Sequence, residues 1–242
     1  MRDYLLDVVK HTLPLGAFST LRIEGTDTAT EITASEEQKH MVLKAKFNAP
    51  CVDLKGVFGI PDLNLLNTII GIEDYANNAT IEVRKRERNG ETVPVSIFFS
   101  SENGDFENEF RLIGENIINK IEPQITVKTN NWPVEFGPHE RSQLRYKRQL
   151  SANSDEKTVK FDVRDGVVTV YFGDGSNHHG RFEFATGIDD SVTLNVTVNR
   201  QFVAGIFAMT GDKVMSIGPS GVKILVDSGL VTYDYILPNI TK

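Results

Sequence analysis

A chain of 242 residues, 40% hydrophobic and 24% charged, has material for one large or two ordinary globular domains. That composition excludes a largely disordered, collagenous or membrane-spanning chain. With 26 basic residues against 33 acidic ones, the formal net charge of −7 argues at first against a surface basic enough to coat nucleic acid. In chain order, an amphipathic helix is predicted over Arg2–Thr12, with Tyr4, Leu5, Val8 and Val9 on one face. A hairpin follows, Thr20–Glu24 and Thr28–Thr33, turned at Gly25-Thr26-Asp27. Strands are predicted at Met41–Phe47 and Val52–Phe58. A second helix is expected from Ile60-Pro61-Asp62, with Pro in its first turn and Leu63, Leu66, Ile69 and Ile70 as its apolar stripe. Strands at Thr80–Glu87, Thr92–Ser100 and Phe106–Leu112, with turns at Asn89-Gly90 and Asn103-Gly104, end the first half.

The second half repeats that order. A helix over His139–Ala152 precedes a hairpin, Val159–Val163 with Val167–Phe172, turned at Arg164-Asp165-Gly166. Strands at Arg181–Thr186 and Val192–Val198 lead to a helix over Asn199–Met209, opened by an Asn cap and striped by Phe202, Val203, Ile206 and Phe207. Strands at Lys213–Ile217, Val222–Val226 and Leu230–Leu237 close the chain. Thr20 corresponds to Val159 and Asp62 to Asn199 at nearly the same offset, which shrinks later because the second half has shorter hairpins. The expected organisation is therefore a tandem pair: one domain over 1–112, a long connecting loop over 113–131, and a second domain over 132–242 that re-enters structure at Trp132-Pro133.

Compartment signals are few. Cys51, the one cysteine, reads as a buried structural thiol in a reducing compartment. Asp3 and Asp7 interrupt what a secretory signal would need as an apolar core, so a cytoplasmic protein is expected, and the sequons at Asn78, Asn195 and Asn239 carry no meaning there. No phosphate loop, dinucleotide turn, HExxH or GxSxG occurs. The run Phe172–Gly180 contains His178 and His179 with Asp174, but lacks the spacing of a defined metal site and reads as a hairpin loop. Asp189-Asp190 likewise reads as a loop, not an acid–base pair. No catalytic residue, cofactor or metal is expected, and the chain is read as a non-enzyme.

Two short motifs and the element order carry a family resemblance. Ile60-Pro61-Asp62-Leu63-Asn64 before an apolar helix resembles the "DLN" helix of the DNA polymerase sliding clamps of tailed bacteriophages. The ending Thr232-Tyr233-Asp234-Tyr235-Ile236-Leu237-Pro238 is similar to the aromatic–apolar–Pro terminus of the proliferating-cell-nuclear-antigen type of clamp. Pro61 and the charged hairpin Arg84–Arg88 depart from the phage pattern. The resemblance implies an α+β DNA clamp fold of two tandem similar domains, each with two helices packed on antiparallel sheets. Three chains would close as a six-domain ring with helices inside and sheets outside. It further implies a polymerase processivity factor encircling duplex DNA without regard to sequence, with a DNA polymerase, an ATP-dependent clamp loader and two further copies as partners, in host cytoplasm if viral and with no membrane.

A ring sliding on DNA needs cations on the helices that face phosphate, without base readout. Arg141, Arg145, Lys147 and Arg148 crowd the predicted His139–Ala152 helix, and Arg141, Arg145 and Arg148 share one face at i, i+4, i+7, while Leu144 and Leu150 are expected to turn into the sheet. Arg2, Lys10 and Arg200 complete the expected DNA-facing set. Arg84–Arg88 is denser but lies on a predicted strand, where alternate residues face opposite sides, and reads as a solvated hairpin. By the resemblance, ring closure pairs the strands Phe106–Leu112 and Arg181–Thr186, implicating Phe106, Phe110, Leu112, Phe182 and Phe184. A partner-peptide pocket would use His40, Met41, Val42, Ile121, Pro123, Tyr235, Leu237 and Pro238. The rival readings are a structural tail or baseplate protein of duplicated β-rich domains and an enzyme with a dispersed site.

Overall fold

The computed structural model describes residues 1–88, 91–123, 131–173 and 179–240. Helix α1 (Arg2–Thr12) is followed by β1 (Leu21–Gly25), β2 (Thr30–Ser35), β3 (Val42–Phe47) and β4 (Gly56–Ile60). Helix α2 (Leu63–Ile70) then precedes β5 (Thr80–Arg88), β6 (Glu91–Ser100) and β7 (Glu107–Arg111). Strand β8 (Ile113–Gly114), helix α3 (Glu115–Ile121) and strand β9 (Val134–Phe136) lead to helix α4 (Glu140–Ala152). From there the first pattern recurs: β10 (Thr158–Arg164), β11 (Val167–Phe172), β12 (Gly180–Thr186), β13 (Leu194–Asn199), α5 (Arg200–Phe207), β14 (Asp212–Gly218), β15 (Gly221–Asp227) and β16 (Val231–Pro238).

The chain divides into two compact units, Met1–Glu36, Leu43–Thr126 and Ser228–Tyr233 against Glu37–Val42, Val127–Asp227 and Asp234–Lys242. The strand order repeats as faithfully as the element order. In the first unit β4-β1-β2-β3 are neighbours, and in the second β13-β10-β11-β12 are. Strands β5-β6-β7 and β14-β15-β16 likewise form corresponding meanders. Both main hairpins are antiparallel, Arg22 facing Thr33 in one and Phe161 facing Val170 in the other. The turn at Asp165-Gly166 takes positive φ at both positions (50° and 73°), the geometry that matches the twist of a two-residue hairpin.

Alternation fills each core. Strands β10 and β11 bury Val159, Phe161 and Val163 against Val168, Val170 and Phe172. Helix α2 buries Leu63, Leu66, Ile69 and Ile70, the predicted stripe, and Asp62 caps it by accepting the Leu65 N–H at 2.9 Å. Pro61 therefore precedes the helix and is not in its first turn. Asn199 caps α5 in the same way, accepting the Gln201 N–H at 2.9 Å.

Several elements differ from expectation. The segment read as a strand over Val52–Phe58 opens with a 3₁₀ turn at Val52–Leu54, and β4 starts only at Gly56. The stretch expected as a connecting loop contains β8, paired through Gly59 and Ile113, and the seven-residue helix α3. Strand β9, paired with β14 through Glu135 and Ser216, was not anticipated. The turn Asn89-Gly90 and most of the His178-containing loop lie outside the described residues. Among the described residues no helix is long and apolar enough to cross a membrane.

Candidate nucleic-acid interface

The four cations of α4 all lie on its exposed side. Among the described residues none of Arg141, Arg145, Lys147 and Arg148 has a carboxylate partner. Arg145 reaches over the Phe182 ring of β12, its guanidinium carbon 5.9 Å from the centroid. One residue anchors the helix from beneath. Tyr146 is its only fully buried side chain, with its ring 5.1 Å from Phe172 and 5.4 Å from Phe207. The Tyr146 hydroxyl donates to the Arg200 carbonyl at 2.9 Å, and at the helix flank Ser142 donates to the Phe184 carbonyl at 2.8 Å. Leu144 does not turn into the sheet as expected: it is 49% exposed, and Leu150 is half-buried. The reason is angular, because Tyr146 occupies the inward direction and Leu144 stands two residues away on the helical wheel.

Burial pushes the Tyr146 phenol well above the ordinary value of 10.0, outweighing the opposing charge of nearby Arg200. A raised folded-state value means that this group's stabilising contribution is complete below the unfolded value. It is lost as pH rises from there through the folded one. Tyr146→Phe is expected to cost about 1–2 kcal/mol at neutral pH by removing the hydroxyl's hydrogen bond. The same variant should flatten the stability loss above about pH 10, as read by urea unfolding across alkaline pH.

Arg200, expected among the surface cations, is instead a buried side chain. It is 5% exposed, and its guanidinium turns to the C-terminal end of α4. There it donates to the carbonyls of Leu150 (3.0 Å), Ser154 (2.6 Å) and Asn153. A cation set against the last carbonyls of a neighbouring helix satisfies acceptors that have no partner within that helix, and it complements the helix dipole. Arg2 does a weaker version of this in the first unit. Half-buried at the start of α1, it donates to the Ile70 carbonyl at the end of α2, 3.2 Å away. Lys10 remains exposed in the last turn of α1. Its neighbour His11 is buried and stacks on Tyr233 at 4.6 Å.

The other expected sites are only partly exposed. Strand β7 lies at the edge of β5-β6-β7, and β12 at the edge of β13-β10-β11-β12, so both offer unpaired backbone. Their aromatic side chains do not all face outward, however. Phe110 and Phe184 are core residues, and only the backbone of those positions is available at an edge. Phe106 is exposed and sits just outside β7, while Leu112 and Phe182 are half-buried. Of the residues assigned to a peptide pocket, Met41, Tyr235 and Leu237 are fully buried. His40, Val42 and Pro238 are half-buried, and Ile121 and Pro123 are exposed. Ile117, missed from sequence, stands beside Ile121 at i, i+4 on α3 with 57% exposure.

Arg84, Lys85 and Arg86 are exposed on β5, with the Arg84 guanidinium 3.4 Å from the Phe98 ring centroid and 3.8 Å from Glu82. That is the self-satisfied strand face expected of a solvated hairpin. Cys51 is buried, and desolvation raises its thiol above the usual range, as befits an inert side chain. Asp189 is held below the usual carboxylate range by hydrogen bonds from Ser191, whose hydroxyl donates at 2.7 Å. It serves a turn. Among the described residues no group of three His, Cys, Asp or Glu side chains is placed to hold a metal ion.

Three solved structures share this architecture over nearly their whole length. The chain is similar to PCNA from Thermococcus kodakaraensis, at 13% identity and a TM-score of 0.69, covering 99% of this chain and 97% of that one. It is similar to A. fulgidus PCNA, solved with the C-terminal region of FEN-1 bound, at 13% identity and a TM-score of 0.70, covering 100% and 96%. It is also similar to Proliferating Cellular Nuclear Antigen from Entamoeba histolytica, at 10% identity and a TM-score of 0.69, covering 98% and 96%. No protein-family model matches the sequence, and no curated protein matches it. The chain has the α+β DNA clamp fold, with antiparallel sheets and two principal helices in each repeat.

Proposed function

We infer that this chain is a DNA sliding clamp, a processivity factor that closes with two further copies around duplex DNA and tethers a replicative polymerase. The observation that carries the reading is the full-length likeness to PCNA, 100% of the chain at a TM-score of 0.70, joined to the four exposed cations of α4. A ring holds DNA by topology, so its contacts need only be weak, electrostatic and blind to sequence. Arg141, Arg145, Lys147, Arg148 and Lys10 suit that task. The net charge of −7 then belongs to the exterior, where it favours solubility.

The remaining parts of the proposal follow from the same reading. The tandem domains span 1–112 and 132–242, joined by 113–131. Ring closure pairs the edge strands β7 and β12 of successive copies by backbone hydrogen bonds, with Phe106, Leu112 and Phe182 at the margins. The exposed Ile117–Ile121 ridge of α3 offers an apolar contact to a partner's peptide, as A. fulgidus PCNA binds the C-terminal region of FEN-1. Opening the ring falls to an external ATP-dependent loader, and the chain itself performs no catalysis. The Asp62-Leu63-Asn64 helix supports a tailed-phage origin and hence action in host cytoplasm. Size-exclusion chromatography with light scattering tests the assembly. A discrete particle of three 27.0 kDa chains is expected. A stable monomer would contradict it, and an open-ended polymer would favour a structural virion protein.

A further inference from the structure

Helices α4 and α5 leave between them a groove of about 300 Å³ that phosphate contacts do not explain. Tyr146, Leu150, Ala204, Phe207 and Ala208 line it, and the half-exposed Leu144 stands at its rim. Helix α5 contributes only small or apolar side chains here and, with Arg200 turned inward, no cation. The helix-surface neighbours of Leu144 are Glu140 at i−4, Arg141 at i−3, Lys147 at i+3 and Arg148 at i+4, all exposed, and the three cations have no carboxylate partner among the described residues. An apolar knob with three cations and one acid around it gains nothing from a phosphate backbone, which satisfies the net positive charge and leaves the groove in water.

We propose that this groove is a docking site for an acidic amphipathic helix of a partner protein. The partner's apolar residue fills the space beside Leu144 and Phe207, and its carboxylates meet Lys147, Arg141 and Arg148. Charge complementarity selects this occupant, since a basic or neutral helix leaves the three cations unmatched. Because the same cations are those assigned to DNA, the partner excludes duplex from this face. That competition rests on the sliding-clamp reading, whereas the docking itself does not.

The probe is a labelled synthetic helix of Glu, Ala and Leu, about 18 residues long, beyond the length at which isolated helices are marginal. Leu recurs at i, i+3, i+4 and i+7. Anisotropy titrations of the full chain are expected to show binding of this helix, at least tenfold weaker binding when its Glu residues are Lys, and a similar loss when its Leu residues are Gln. Leu144→Gln and Ala208→Trp, the second placed to fill the groove from an exposed position, should each weaken the probe about tenfold or more, the scale of one apolar side chain left unburied. Neither should change duplex affinity. Equal binding of the Lys helix, or parental binding by both variants, overturns the proposal. If Ala208→Trp fails to fold by circular dichroism, Leu144→Gln alone decides. Probe binding in a protein with no duplex affinity would remove the clamp reading and leave the docking site standing.

Discussion

Reversing Arg141, Arg145 and Arg148 together to Glu is expected to weaken duplex binding by at least about 10²-fold while leaving the fold and the assembled mass unchanged. Each of these side chains is exposed and lacks a carboxylate partner among the described residues, so none of them stabilises the unit by ion pairing. Each counterion released at a phosphate contributes a slope of about −0.9 to the logarithmic salt dependence of binding. Removing three contacts from one engaged helix lowers that slope by about 3 and weakens binding on the order of 10²-fold at 0.15 M salt. Charge reversal adds repulsion to that loss. Electrophoretic or anisotropy titration against duplex at several salt concentrations reads both quantities. An unchanged slope would show that α4 does not touch DNA.

Arg200→Met carries the largest expected effect on stability. Its guanidinium is the partner of three main-chain carbonyls at the end of α4, and Tyr146 donates to the Arg200 carbonyl on the same buried seam. Met replaces the bulk but supplies no donor, so the Leu150 and Ser154 carbonyls lose their guanidinium partner and the Asn153 carbonyl, in a buried residue, keeps the Glu156 N–H at 3.3 Å. A loss of about 3–5 kcal/mol follows, summed from charge-assisted hydrogen bonds and the desolvation they had offset. In a unit of this size that corresponds to a melting temperature lower by about 10–20 °C. Arg200→Lys should recover part of it, because one ammonium cannot reproduce a planar fork of donors. Below its melting temperature the Met variant should bind duplex with parental affinity. Reduced affinity in a folded Arg200→Met protein would return Arg200 to the DNA face.

Much of the architecture was legible because turn chemistry and periodicity agree locally. The Asp165-Gly166 turn, the Asp62 and Asn199 caps, and the stripe Leu63, Leu66, Ile69 and Ile70 are short-range signals, and each repeat carries them in the same order. Helix α3 escaped because seven residues with one buried side chain, Ile118, make no stripe to read. Strand β9 is three residues long and owes its existence to pairing with β14, a contact distant in sequence.

The site was legible in its charges but not in its directions. The i, i+4, i+7 spacing of Arg141, Arg145 and Arg148 puts them on one face whatever the fold. Whether an apolar or cationic side chain points in or out depends on what stands opposite. Leu144 lost the inward position to Tyr146, whose ring fits between Phe172 and Phe207. Arg200 resembled a surface cation until the end of α4 was set against it. Phe110 and Phe184 show the same limit on strands, where alternation identifies two faces without saying which one is the core.

Topological retention tests the central claim most directly. The protein is threaded at high concentration onto linear duplex, both ends are then blocked with bulky protein, and the complex is washed in high salt. A closed ring is expected to stay bound through the wash, because salt weakens its phosphate contacts but cannot open its path, and to be released when the duplex is cut between the blocks. Loss in the wash with both ends blocked, or retention after cutting, would contradict encirclement.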